Sequence, residues 1–466
     1  MTKLLPLSIK ELPKPPSLKK LLGPSFILLG LGLGSGELIL WPYLTANYGL
    51  GIIWAAILGI TFQFFINMEI ARYTLVAGES IFVGLTRKFG KVTPYWFIFS
   101  TLTPWIWPGI AASAGKVLSA ALGIRYTAAI GILLLILIGL ILSLGKVVYK
   151  TQEKTQKAII LVGIPFILIM TLSFTKSQDW SALGMGLFGR GEGYWFLPMG
   201  LPFATFLAAF AYAGAGGNLN LAQSLYIKEK GYGMGKFGGR ISGLFGNKQK
   251  DLKLTGVTFE PTGQNLINFK KWWKRINIEH ALIFWITGAF TIILLSLLSY
   301  TTVYKNAGVE TSINFVIREA GFLTSKLVPF LGELFLVIVS IMLFGTQFSV
   351  TASNSRIMSE NLVITNPDKY KIENSSYFFY IFLWAQILSG IIIFSLGFTE
   401  PLSLVVIGAV LNAFSMFIYS GLVLWLNLTS LAKPLRPSFL RTFAVGSAFL
   451  FYGAFSIFTI SQFLFR

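Results

Sequence analysis

The chain alternates between apolar runs that repeatedly exceed the roughly 20 residues a helix needs to cross a bilayer core and polar connections that are mostly short. In order, the runs cover 21–48, 52–77, 95–122, 126–144, 155–174, 201–227, 281–300, 327–358, 376–396, 401–426 and 440–463. This pattern predicts an all-α polytopic membrane protein with eleven spans. A transmembrane β-barrel would instead show alternating segments of about 10 residues. Residues 311–326 read as an amphipathic stretch outside the membrane.

Two runs are interrupted. Gly30, Gly32, Gly34 and Gly36, followed by Glu37, break the first, and Gly214, Gly216 and Gly217, followed by Asn218 and Asn220, break the sixth. Glycine costs about 1 kcal/mol relative to alanine inside a helix, and a carboxylate near mid-membrane about 2.5–3.5 kcal/mol on insertion scales. Such a cost points to broken helices beside a solute. A break frees N–H groups on one side and C=O groups on the other, so it can hold an ion or zwitterion with few charged side chains. Because the broken runs are the first and the sixth, five-helix units starting at each have opposite orientation, the mark of an inverted-repeat transporter. Close helix packing is the alternative use of the glycines, but it leaves Glu37 unexplained.

Other polar positions carry two readings each. Gln63, Asn67, Glu69 and Arg72 lie in the inner half of the second run, and Glu69 and Arg72, three apart, can pair on one helical face near a cytoplasmic gate. Asn218 and Asn220 either cap the resumed sixth helix or act as ligands. Gln347 and Asn412 line a cavity or bridge helices. Glu333 lines an access path or sits at the membrane interface, and His280, beside Glu279, is expected at the interface.

Composition narrows the chemistry. The chain is 54% hydrophobic and 12% charged, has no Cys and has a single His, which excludes disulfides, thiolate sites and a multi-histidine zinc site. A net charge of +20 would suggest nucleic acid in a soluble protein; basic loops facing anionic lipid account for it here. Residues 228–278 hold eleven Lys or Arg against three acidic residues and read as a loop, with Trp272 and Trp273 in the headgroup belt beside Lys270, Lys271, Lys274 and Arg275. Residues 1–22 carry Lys3, Lys10, Lys14, Lys19 and Lys20 with no small-residue cleavage site, so they read as an uncleaved cytoplasmic tail. An inward N-terminus gathers Arg87, Lys88 and Lys91, then Lys146, Lys150, Lys154 and Lys157, the long loop, and Lys433, Arg436 and Arg441 on the cytoplasmic side of the plasma (inner) membrane, with the C-terminus outside. The expected partners are the bilayer and a small ionic solute, with a monomer as the starting expectation.

Gly23-Pro24-Ser25, Gly34-Ser35-Gly36-Glu37, Asn67 and Ala71-Arg72 with Gly78 beyond resemble the first two helices of the Nramp (natural resistance-associated macrophage protein) metal-transporter family. The likeness extends more loosely through Gly217-Asn218-Leu219, Gly345-Thr346-Gln347 and Asn412. It implies a divergent, Nramp-related branch of the amino acid-polyamine-cation superfamily. The implied fold is LeuT-type: inverted repeats over 23–176 and 177–426, broken first and sixth helices, and an eleventh helix within 427–466. The implied activity is secondary transport by alternating access.

At the site the chain departs from the family pattern. Gly34, Ser35, Gly36 and Glu37 stand where the family has Asp-Pro-Gly-Asn, so the metal-binding Asp is missing; Ala215, Gly216, Gly217 and Asn218 replace Met-Pro-His-Asn, so the Met and the His linked to proton movement are gone. The remaining oxygen ligands suit Mg²⁺, Ca²⁺ or Mn²⁺. The expected cargo is therefore a hard divalent cation held by Glu37 and Asn218, with Gly34, Ser35, Gly36, Ala215, Gly216, Gly217, Asn220 and Gln347 around it and Glu69 and Arg72 gating or coupling. No cofactor is implied. Gly34-Ser35-Gly36 is also similar to the Gly-Ser-Gly of amino-acid transporters, whose free amides receive a carboxylate, so an amino acid or small anion is the alternative cargo, and a non-transporting sensor is a third reading. No Ser, His and Asp set, phosphate loop or metal cluster marks an enzyme.

Overall fold

The computed structural model describes residues 4–17, 21, 23–125, 127–145, 148–239, 253–306, 310–326 and 328–464. Lys3, Lys19, Lys20 and Lys146, the first residues of the fourth and eighth expected spans (126 and 327), and 240–252 of the basic loop lie outside them.

Among the described residues nine helices are long and apolar enough to cross a membrane. They include α1 (Pro24–Tyr48) and α2 (Leu50–Ala77). Next come α3, in two pieces (Val92–Trp105 and Gly109–Ala121), then α4 (Thr127–Leu144) and α5 (Val148–Phe174). The sixth helix is split into α6a (Phe203–Ala211) and α6b (Ala222–Lys230), and α7 is the long Gly263–Tyr304 helix. The set closes with α8 (Pro329–Thr365), α9 (Ser375–Ser395), α10 (Pro401–Ser430) and α11 (Phe439–Leu464). Only α3 and α6 are absent from the nine, because their pieces are each too short, and adding them gives the eleven spans expected. The amphipathic stretch appears as a helix over Asn314–Lys326.

Two boundaries differ from the apolar pattern. α5 begins at Val148, ahead of the apolar run, because Lys, Gln and Glu are good helix formers; Gln152, Glu153 and Gln156 face inward while Lys150 and Lys154 face out. The second half of the expected basic loop is the first half of α7. Phe269, Trp272, Ile276 and His280 form a buried stripe at helical spacing, and Lys270, Lys271 and Lys274 are exposed. Trp272 is therefore not a headgroup anchor: it is 2% exposed, and its indole N–H donates to the Pro13 carbonyl at 2.7 Å.

The N-terminal segment is docked. Strand β1 (Ser8–Ile9) pairs in parallel with β2 (Val257–Thr258), and Leu12 is held through its backbone by Asn265 and Asn268. Arg87 donates to the carbonyls of Leu4 and Leu5 and pairs with Glu79 at 2.8 Å, while Arg441 donates to Asn277. The basic elements thus gather at one end of the bundle. α11 starts at that end and finishes near the beginning of α6a, where Phe455 and Phe458 meet Phe203. At the centre lies α1, with nearly every residue buried.

Candidate functional site

The middle of α1 is wound as a π-helix over Leu33–Leu40, so that the Trp41 N–H reaches back five residues to the Gly36 carbonyl. The interruption is thus a loosened, still helical turn, a form found often at functional sites. Its glycines are close-approach positions. A Cβ on Gly36 would overlap the Tyr212 carbonyl, and one on Gly32 would lie 2.5 Å from the Gly214 carbonyl oxygen, so α1 and the α6 break touch backbone to backbone. A Cβ on Gly34 would lie 2.7 Å from Thr346 of α8, and one on Gly30 would strike Gln156 of α5. Thr346 also bridges the loosened turn: it accepts from the Gly34 N–H at 2.8 Å and donates to the Gly30 carbonyl at 2.7 Å.

α6 is broken outright. Its first half stops at Ala211, Gly216 and Gly217 follow at φ 73° and 52°, values that favour glycine, and the chain resumes through a 3₁₀ turn over Gly217–Leu221. Gln63 of α2 spans the gap: its amide donates to the Ala211 carbonyl at 2.9 Å, and its oxygen accepts from the Gly216 N–H at 3.0 Å. One side chain thereby satisfies a backbone group on each side of the break.

Three amides surround the resumed turn in a common arrangement. Asn218 donates to Ser100 and Thr101 of α3 at 2.8 and 2.9 Å, Asn220 donates to the Tyr419 hydroxyl at 2.9 Å, and Asn412 donates to the Tyr212 hydroxyl at 2.8 Å. All three side chains are fully buried, and their carbonyl oxygens have no hydrogen-bond partner among the described residues. The Asn412 oxygen lies against Gly217, where any Cβ would collide with it. Tyr212 is in turn stacked on Trp105 at 5.5 Å between ring centroids.

The other expected site residues fall in different places. Ser35 and Glu37 are fully buried, and the Ser35 hydroxyl and both Glu37 carboxylate oxygens have no partner among the described residues. The Glu37 carboxylate abuts α7: a Cβ on Gly288 would lie 3.5 Å from it, beside Ile60 and Leu29. Ala215 is buried within the break. Gln347 is half-buried and bonded to Thr351 along its own helix. Glu69 and Arg72 do pair, at 2.6 Å, within a network that adds Arg441, Asn427 and the Leu435 carbonyl. Glu333 is exposed. His280 is not at the protein surface: it is fully buried, stacked on Phe284 at 4.7 Å, with Nδ1 2.8 Å from the Ser25 hydroxyl. Its helix continues without a stop on either side of it, and the Ser25 contact puts it beside the start of α1. Among the described residues no three His, Asp or Glu side chains are grouped to hold a metal.

Tyr212, Ser100, Thr101 and the bridging role of Gln63 are not marked by the pattern of apolar and polar positions. Gln63 did carry a signal, as an amide in an apolar run. The hydroxyls did not, because Ser, Thr and Tyr are common in membrane helices.

No protein-family model matches the chain, and no curated protein matches it by sequence. Its fold does have solved counterparts. It is similar to a mutant of the Eremococcus coleocola manganese transporter, with a TM-score of 0.71 and 10% identity over 98% of this chain and 90% of that one. The same transporter in complex with an aromatic bis-isothiourea substituted compound gives 0.68 at 11% identity over the same shares. A nucleobase-cation-symport-1 family transporter in a closed conformation, with bromovinylhydantoin bound, gives 0.51 at 11% identity over 96% and 95%. The fold is the LeuT-type architecture of these transporters.

Proposed function

We propose that the protein is a secondary transporter that carries a hard divalent cation at the crossing of α1 and α6 by alternating access. The observation behind this reading is the trio of buried, unpartnered amide oxygens of Asn218, Asn220 and Asn412, each oriented by a hydroxyl that holds its NH₂. A buried acceptor without a partner costs about 1–3 kcal/mol, and a cation that takes oxygen ligands recovers that cost. Glu37 holds a buried carboxylate without a partner on the π-helical turn, on the side of α1 that meets α7, and is the acidic group to test. The fold shared with a manganese transporter is consistent with metal as cargo.

An anionic or amino-acid cargo has less support. It would need free amides at Gly34–Gly36, and the Gly34 N–H is already donated to Thr346. We place the basic end in the cytoplasm on the positive-inside rule and the C-terminus outside. The Glu69–Arg72–Arg441 network at the basic end is then a cytoplasmic gate, because opening a path there requires α2, α10 and α11 to separate.

The test is uptake of Mn²⁺ and Mg²⁺ by proteoliposomes. Saturable uptake is expected for the native protein and should vanish in Glu37→Gln and in the double variant Asn218→Ala, Asn412→Ala. Unchanged uptake in these variants removes the proposed site. Thermal stabilisation by amino acids or small anions, with none from either cation, overturns the choice of cargo.

A further inference from the structure

A polar cavity of about 350 Å³ opens at the basic end, away from the crossing of α1 and α6. Its walls are the N-terminal segment at Pro13–Pro16, the end of α6b, the glycine-rich turn after it, and Trp272 of α7. Four lysines line it, Lys14, Lys228, Lys230 and Lys236, against one acid, Glu229. That acid is engaged elsewhere, since its carboxylate pairs with the fully buried Arg356 of α8.

The lysines differ in how their charge is met. Lys230 pairs with Glu153 at 3.0 Å. Lys14 and Lys236 are exposed, so water solvates them. Lys228 is only 4% exposed and has no ion pair or hydrogen bond among the described residues; its Nζ is not among the fully enclosed polar atoms, so the stem is buried and the ammonium reaches the cavity. Its stem runs against Gly238, where a Cβ would lie 2.7 Å from its Cγ, so the backbone there makes room for it. Lysines in the last turn of a helix complement its dipole, which accounts for a solvated or paired lysine. It does not give the ammonium of Lys228, the most enclosed of the four, a bonded partner of its own.

We propose that this cavity binds a phosphate-bearing anion, with Lys228 as the buried anchor and Lys14 and Lys236 closing on it from the exposed side. A phosphoryl group offers several charged acceptor oxygens to several ammonium groups at once. Trp272 and Tyr232, whose rings lie 5.6 Å apart, supply an apolar wall for whatever the phosphate is attached to. Because the walls belong to separate segments, the bound anion ties the N-terminal segment to α6b. This inference is independent of the cargo proposed above.

The experiment is thermal unfolding of the full-length protein with two probes at fixed ionic strength. One is inorganic pyrophosphate added in detergent; the other is phosphatidylglycerol in phosphatidylcholine nanodiscs. A gain in Tm with pyrophosphate identifies a soluble phosphate ligand, and a gain confined to phosphatidylglycerol identifies a lipid headgroup. Lys228→Met should leave Tm unchanged or raise it without anion and should lose the anion-dependent gain. Lys14→Gln with Lys236→Gln, at exposed positions that do not threaten folding, should weaken the apparent affinity about tenfold. The proposal fails if neither probe raises Tm, or if the gain survives undiminished in these variants.

Discussion

Gln63 carries more of the structure than its single side chain suggests, because both of its amide groups stand in for helix hydrogen bonds that α6 cannot make for itself. Gln63→Leu leaves the Ala211 carbonyl and the Gly216 N–H buried without partners, and at about 1–3 kcal/mol each it should lower stability by about 2–6 kcal/mol, seen as a fall in Tm. Outside the spans, Glu319 is 2% exposed on the Asn314–Lys326 helix, where burial pushes its carboxyl up to about 8 against the opposing pull of the Ser299 hydroxyl. A folded-state value above the ordinary 4.5 means that the folded protein holds this proton more tightly than the unfolded chain. The associated stability is full below about 4.5 and is lost as pH rises through about 8. Tm of the native protein should therefore fall across that window more steeply than Tm of Glu319→Gln, and parallel profiles would rule out Glu319 as the cause.

At the scale of elements, glycines in helices divide into those that join helices and those that only weaken one. Gly36→Ala places a methyl on the Tyr212 carbonyl, and neither backbone can yield without separating α1 from α6; folded monodisperse protein should not be recovered by size exclusion. Gly321→Ala adds a methyl to open space on an exposed helix face and should stabilise by about 0.4–1 kcal/mol, read as a small rise in Tm. The same contrast explains what was legible in the chain. Apolar length identified all eleven spans, and glycine clusters located the interruptions of α1 and α6. Sequence could not distinguish a π-helical turn in α1 from an open break in α6, since both are built from glycine followed by a polar residue. Lysine-rich composition concealed the helical start of α7, whose buried stripe at 269, 272, 276 and 280 is narrow. The site was half legible. Glu37 and the asparagines stood out as polar residues in apolar runs, whereas the direction each faces depends on which neighbouring helix supplies a hydroxyl or a gap.

Across the whole molecule, Glu69 is where distant parts of the chain converge. Its carboxylate takes Arg72 at 2.6 Å, Asn427 at 3.1 Å and Arg441 at 3.5 Å, and both arginines lie over the Trp273 ring. Arg72→Leu leaves the buried carboxylate with only Asn427 and the longer Arg441 contact and should cost up to about 3–5 kcal/mol, whereas the double variant Glu69→Gln, Arg72→Leu should recover most of that loss. Equal Tm values for the single and double variants would show that the pair is not coupled. The seam between α1 and α6 has a different consequence for the history of such a chain. At Gly32 and Gly36 the two helices meet through main-chain atoms, so mutation can alter these positions only by destroying the contact. Ser35 and Glu37, interleaved with them, are not bound by that contact, so their side chains can be exchanged while the seam between the two helices stays as it is.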